Sequence, residues 1–208
     1  MDADPVEIRV LGCLVEKQRT TPDQYPLSLN ALRLACNQAT NRDPVVDYDE
    51  ATIRAAVDKL SRRGWVRLAS GPGGRVAKYR HLLDDVLGRV PSQIALLAVL
   101  MLRGEQTPGE LKQRVERIYP YPSLEDVQKA LDALAAEELV ERLPRRPGQS
   151  QDRYIQLLGG GAGAASAPEP ERSTDVESVY QTQSPLEERV AQLEEQVAEL
   201  QRALAERG

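Results

Sequence analysis

The chain has 208 residues, 41% of them apolar, with no Phe, one Trp and a formal net charge of −5. Such a length can bury one large or two small cores, and aliphatic side chains must fill them. No run approaches the roughly 18 apolar residues of a membrane-spanning helix, and the two cysteines, Cys13 and Cys36, give neither a disulfide framework nor a zinc spacing.

The charge is uneven. Residues 1–88 hold 13 Lys/Arg against 12 Asp/Glu, residues 89–158 hold 10 against 10, and residues 159–208 hold 4 against 10. The body is therefore neutral and the acidity sits in the tail, which argues against strong non-specific nucleic-acid binding. The start, MDADPVEIRV, lacks a charged-then-apolar leader, so a cytoplasmic location is expected.

Ile8, Leu11, Leu14 and Val15 have helical spacing and predict a first helix over 6–17, with Pro5 near its start. A connector, 20–26, leads to a second helix over about 28–38, with Leu29, Leu32 and Cys36 on one face. Asn41-Arg42-Asp43-Pro44 closes it in a turn, because the residue before Pro is pushed out of helical geometry. Ile53, Val57 and Leu60 mark a third helix, capped by Asp47 or Asp49; Asp47 with Glu50 has capping-box spacing. Gly64 stops it. Trp65, Val66 and Leu68 then suit one strand, Val76 and Tyr79 a second, and Ser70-Gly71-Pro72-Gly73-Gly74 the turn between them.

The pattern recurs. Ile94, Leu97 and Leu100 match Ile8, Leu11 and Leu14 at a constant offset. Thr107 and Pro108 open a short helix, and Val127, Leu131 and Leu134 stand where Ile53, Val57 and Leu60 stood. Leu139 and Val140 replace Trp65 and Val66, a second turn follows at 145–150, and Arg153-Tyr154 echoes Lys78-Tyr79. The reading is a mainly α chain with small antiparallel β wings: two tandem winged-helix domains, 1–88 and 89–158, each closing on its own interior. Residues 159–184, rich in Gly, Ala, Ser and Pro, read as a flexible linker. In 185–208, Leu186, Val190, Leu193, Val197, Leu200 and Leu204 form a heptad seam with Val, Val and Leu at a and Leu at d. That predicts a short coiled-coil helix that assists a homodimer.

Several strings resemble the YceH-like family of bacterial proteins: Cys13 with Glu16-Lys17, Thr21 to Ser28, Ala35-Cys36-Asn37-Gln38 followed by Asn41-Arg42-Asp43-Pro44, Arg75-Val76 with Lys78-Tyr79-Arg80, Gln106 to Leu111, and the tail heptads. The resemblance spans essentially the whole chain. It implies tandem winged helices, which agrees with the repeat, and little about function, because that family is uncharacterised.

In a winged helix the third helix is the candidate DNA reader and the hairpin the wing. Arg54 would read bases while Lys59, Arg62, Arg63, Arg75 and Lys78 hold phosphates. The plain alternative is a solvated face with Arg54–Asp58 or Asp58–Arg62 pairing. In the second unit the reader helix is acidic (Glu125, Asp126, Asp132, Glu137), but Arg142, Arg145, Arg146 and Arg153 surround its wing turn. The second unit reads mainly as a spacer or dimer surface. Asn37, Gln38, Asn41 and Arg42 read as turn-closing groups, with Arg42 paired to Asp43 or Asp47. His81, the single histidine, reads as a surface residue. No spacing suits a catalytic triad, a metal or a phosphate loop. The expectation is thus a non-enzymatic protein without cofactor or metal, dimeric and binding double-stranded DNA. The alternative is a protein–protein adaptor built on the same fold, resembling the accessory subunits of bacterial condensin.

Overall fold

The structure is a computed structural model that describes residues 2–69, 76–145 and 151–159. It is mainly helical, with two small antiparallel sheets. Helix α1 spans Pro5–Thr20. Its start is a capping box: Asp4 accepts from the Glu7 N–H and Glu7 accepts from the Asp4 N–H, both at 2.8 Å, so two orphan donors are satisfied reciprocally. After a 3-10 turn at Pro22–Gln24 come strand β1 (Leu27–Ser28) and helix α2 (Leu29–Cys36), capped by Ser28.

Helix α3 spans Glu50–Arg62 and is capped by Asp49, whose side chain accepts from the Thr52 N–H at 2.7 Å. Asp47, the other predicted cap, instead accepts from the Asn37 amide at 3.3 Å. Asn37 also donates to the Tyr48 carbonyl at 2.8 Å and accepts its N–H at 2.9 Å, which clamps the two ends of the 37–48 loop together. Gly64, at φ +74°, takes the left-handed closing conformation. Strands β2 (Val66–Leu68) and β3 (Lys78–His81) follow. The sheet order is β1-β3-β2, antiparallel throughout. Val76, predicted within the second strand, lies before it and is exposed. A short helix α4 (Leu83–Leu87), not predicted, leads out of the sheet.

The second half repeats this order. Helices α5 (Pro91–Arg103), α6 (Pro108–Val115) and α7 (Leu124–Ala136) precede strands β4 (Val140–Leu143) and β5 (Arg153–Gln156). Thr107 and Glu110 form a second capping box at α6. In the position of β1 a single residue, Gln106, bridges Tyr154 on β5.

The two halves do not close on separate interiors, as the repeat suggested. Their buried side chains form one cluster, running from Ile8, Leu11 and Leu14 through Leu96, Leu97 and Leu100 to Leu131 and Tyr154. The reason is that α1 and α5 pack on each other. A Cβ on Gly12 would lie 2.8 Å from Leu102 Cγ and 3.1 Å from Met101 Cβ, so the bare backbone is what admits α5 so closely. Both helices are covered on nearly every side: α1 is buried without interruption from Glu7 to Glu16, and α5 from Ile94 to Leu102. The predicted linker and the heptad residues Leu186, Val190, Leu193, Val197, Leu200 and Leu204 lie outside the described residues.

Gly12→Ala should therefore destabilise, although Ala is the better helix former by about 1 kcal/mol. Chemical denaturation is expected to show a net loss of about 1–2 kcal/mol from overpacking. Adding Leu102→Ala should cost less than the two single losses combined, because the clash is with that side chain.

Candidate nucleic-acid interface

Helix α3 buries Ile53, Ala56, Val57 and Leu60 and turns Arg54, Asp58 and Arg62 outward, four residues apart on one stripe. Arg54 pairs with Glu50 at 2.8 Å, one turn back, rather than with Asp58; both partners are more than half exposed. Such a pair contributes little and leaves the guanidinium available. Arg62 is exposed and makes no ion pair among the described residues. Lys59 and Arg63 point elsewhere. Lys59 pairs with Asp4 at 2.8 Å. Arg63 reaches the buried Glu7 at 3.5 Å, donates to the Asp2 carbonyl at 2.9 Å and lies over the Trp65 ring at 5.8 Å. These two residues tie α3 to the start of α1.

The hairpin adds a second group of cations. In its register Val66 faces His81, Arg67 faces Arg80 and Leu68 faces Tyr79. Val66 and His81 are buried, so strand alternation puts Arg67, Lys78 and Arg80 on the opposite face. Arg67 and Arg80 stand directly across from each other, and neither makes an ion pair among the described residues. Arg80 Nε has no hydrogen-bond acceptor there either. Like charges directly opposed across strands are unfavourable, so an anion over this face would relieve the strands. Of these three, Lys78 is the one the sequence analysis assigns to phosphate, together with Arg75. Reading positions 67, 78 and 80 with period two finds the other two. Arg75 lies outside the described residues.

The second hairpin differs. Arg142 and Arg145 converge on Asp152, and Arg153 reaches Glu110 at 3.2 Å and Glu105 at 3.9 Å. The basic wing read from the sequence is thus largely neutralised from within. Arg146 lies outside the described residues. On α7, Glu125 pairs with Lys129 at 2.7 Å and the outward face stays acidic.

A buried polar centre joins the halves. Arg42 does not pair with Asp43 or Asp47. Its guanidinium is fully buried against Glu16, which Arg117 of the second half also contacts. Arg42 donates further to the carbonyls of Ala35 (3.1 Å) and Asn41 (2.9 Å) and to the Gln38 side chain (3.0 Å). Burial disfavours the Arg42 charge, but the Glu16 carboxylate outweighs it and raises the pKa above the usual arginine value. Cys13 and Cys36 lie buried beside this centre, and the Cys36 thiol is pushed up by its hydrogen bond to Cys13 and by burial.

His81 is likewise not a surface residue, being 4% exposed. Its Nδ1 accepts from the Leu83 N–H at 3.3 Å, so Nε2 carries the proton toward Gln18 Oε1 at 2.9 Å. Burial pulls its pKa down to about 4; Asp84 opposes this, while Arg19 and Arg80 add to it.

The family described as "Protein of unknown function, DUF480" matches residues 3–149. The chain belongs to this family. Its relatives carry the name UPF0502 protein. One from Geotalea uraniireducens (strain Rf4) is 51% identical over 179 residues, covering 83% of this chain and 81% of that one. One from Dechloromonas aromatica (strain RCB) is 47% identical over 195 residues, 90% of each. One from Shewanella woodyi is 45% identical over 173 residues, 80% of this chain and 79% of the other. Membership accords with the YceH-like resemblance read from the Cys36-Asn37-Gln38 and Asn41-Arg42-Asp43-Pro44 strings. Among the described residues of this family member, no helix is long and apolar enough to cross a membrane, and no three His, Cys, Asp or Glu side chains converge as a metal set.

Two outcomes follow from the buried groups. Glu16→Met leaves Arg42 without its counter-charge and should cost about 3–5 kcal/mol in urea denaturation, with part of the loss recovered in the Glu16→Met/Arg42→Met double variant. His81 is neutral in the fold, whereas the unfolded chain takes up a proton below pH 6.5. Stability should therefore fall as pH drops from about 6.5 to about 4, by as much as about 3 kcal/mol. His81→Gln should flatten that part of the stability-versus-pH curve.

Proposed function

We propose that the chain is a non-enzymatic, dimeric DNA-binding protein made of two winged-helix units, about 5–84 and 90–158, the first of which contacts the duplex. The element order of each half and the β1-β3-β2 sheet support the winged-helix reading. One observation carries the functional reading: the hairpin that follows α3 presents Arg67, Lys78 and Arg80 on one face, with Arg67 and Arg80 opposed and lacking a carboxylate partner among the described residues. Helix α3 contributes Arg54 as the base reader and Arg62 as a phosphate contact. The second unit, whose wing cations Arg142, Arg145 and Arg153 are paired, acts as a spacer. The heptad seam of residues 186–204 assists dimer formation. Two reduced, buried thiols suit the cytoplasm.

A second reading has its own support. The acidic outward face of α7, with Leu124 and Tyr119 exposed near it, suits contact with a basic protein segment rather than DNA. Salt dependence of duplex binding separates the two.

The full chain should bind a random-sequence duplex at about 50 mM salt in fluorescence anisotropy, with a log–log salt slope near −4 for four to five phosphate contacts. Combining Arg62→Ala with Arg67→Ala should weaken binding about tenfold and reduce the slope by about 2. Arg145→Ala should change neither. No duplex binding at that salt sinks the reading.

A further inference from the structure

A pocket of about 240 Å³ lies where the start of α1 and the 43–48 segment meet the end of α5 and strand β5. Most of its lining is apolar, with Ile8, Leu100, Met101 and Ile155 among the walls. Arg9 breaks the pattern. It lines the pocket yet is only 4% exposed. Its Nη2 donates to the Pro44 carbonyl at 2.6 Å, but its Nη1 is buried with no acceptor. No carboxylate pairs with Arg9 among the described residues. Glu7 and Glu16 on the same helix are engaged by Arg63 and by Arg42 and Arg117, and Asp43, at the pocket's edge, is exposed.

A guanidinium removed from water with a donor left unpaired is costly, and the cost falls when an anionic acceptor reaches it. The buried Glu7, Glu16 and Arg42 each meet an opposite charge; Arg9 has a single carbonyl. Arg9 is one wall of the adjoining pocket, so an acceptor can approach its guanidinium from there, and the rest of that pocket favours apolar atoms. We propose that this pocket binds a small monocarboxylate, with the carboxylate on Arg9 Nη1 and an aliphatic or aromatic tail along Leu100, Met101 and Ile155. One unpaired cation matches one negative charge, and Asp43 at the edge disfavours a second. Since a cavity of about 150 Å³ takes benzene, this one fits about ten heavy atoms, the size of octanoate. The walls come from both halves of the chain, so an occupant also bridges α1 and β5. The site is independent of the DNA reading and involves none of its residues.

The test uses the two methionines of the sequence, Met1 and Met101. Full-length protein labelled with ¹³C at the methionine methyls gives one reporter in the pocket and one outside the described residues. Titration with octanoate should move the Met101 signal with a millimolar Kd, and octan-1-ol should bind at least about tenfold more weakly, because it lacks the charge. Arg9→Gln should lose the preference for octanoate over the alcohol. No movement of Met101, or equal binding of acid and alcohol, overturns the proposal. So does a folded Arg9→Gln variant that keeps the preference. If that variant does not fold, the wild-type comparison of acid with alcohol still decides.

Discussion

The contact between α1 and α5 is the constraint on which the rest depends. From Glu7 to Glu16 and from Ile94 to Leu102 these helices have no solvent face, so the polar side chains there find their partners inside the protein. Glu7 meets Arg63, Glu16 meets Arg42 and Arg117, and Arg9 meets the Pro44 carbonyl. The loop between α2 and α3 exists in its observed form because of these demands. It brings Arg42 under α1, carries Pro44 to Arg9, and is held shut by Asn37.

The same economy of internal pairing shapes the surface. Cations that a linear reading assigns to DNA are in several cases structural. Lys59 and Arg63 hold α3 against α1, and Arg145 holds the second hairpin through Asp152. What lacks an internal carboxylate on the described surface is narrower: Arg62 on α3 and Arg67 with Arg80 on the first hairpin, while Arg54 meets only the exposed Glu50. The two halves share an order of elements but not an electrostatic character, and the difference sits in one residue type. The second hairpin supplies its own carboxylate at Asp152; β2 and β3 contain none.

Much of this fold was legible because its signals are local. Periodicity located the principal helices, Pro5 and Thr107 marked two starts, and the Gly64 stop and both hairpins followed from turn chemistry. What stayed hidden depends on partners distant in sequence. His81 is buried with Gln18 and Tyr25, 63 and 56 residues upstream, as its partners, and nothing in Arg80-His81-Leu82 announces that. Arg42 had acidic neighbours at 43 and 47, but its partner is 26 residues upstream. The repeat itself misled on one point. Duplicated apolar spacing locates two units without telling whether their first helices face solvent or each other. The unbroken burial of Val10 to Glu16 is the answer, and Gly12 was its quiet signal.

The Glu16 carboxylate is shared between Arg42, which precedes α3, and Arg117, which follows α6. On the ribosome these arrive far apart in time. When the first three helices and their hairpin have just left the exit tunnel, α5, which starts ten residues after β3, is still inside it, and the side of α1 around Gly12 faces water. The nascent first half is therefore an unfinished body with an apolar flank, and only the emergence of its own later copy of the motif covers it.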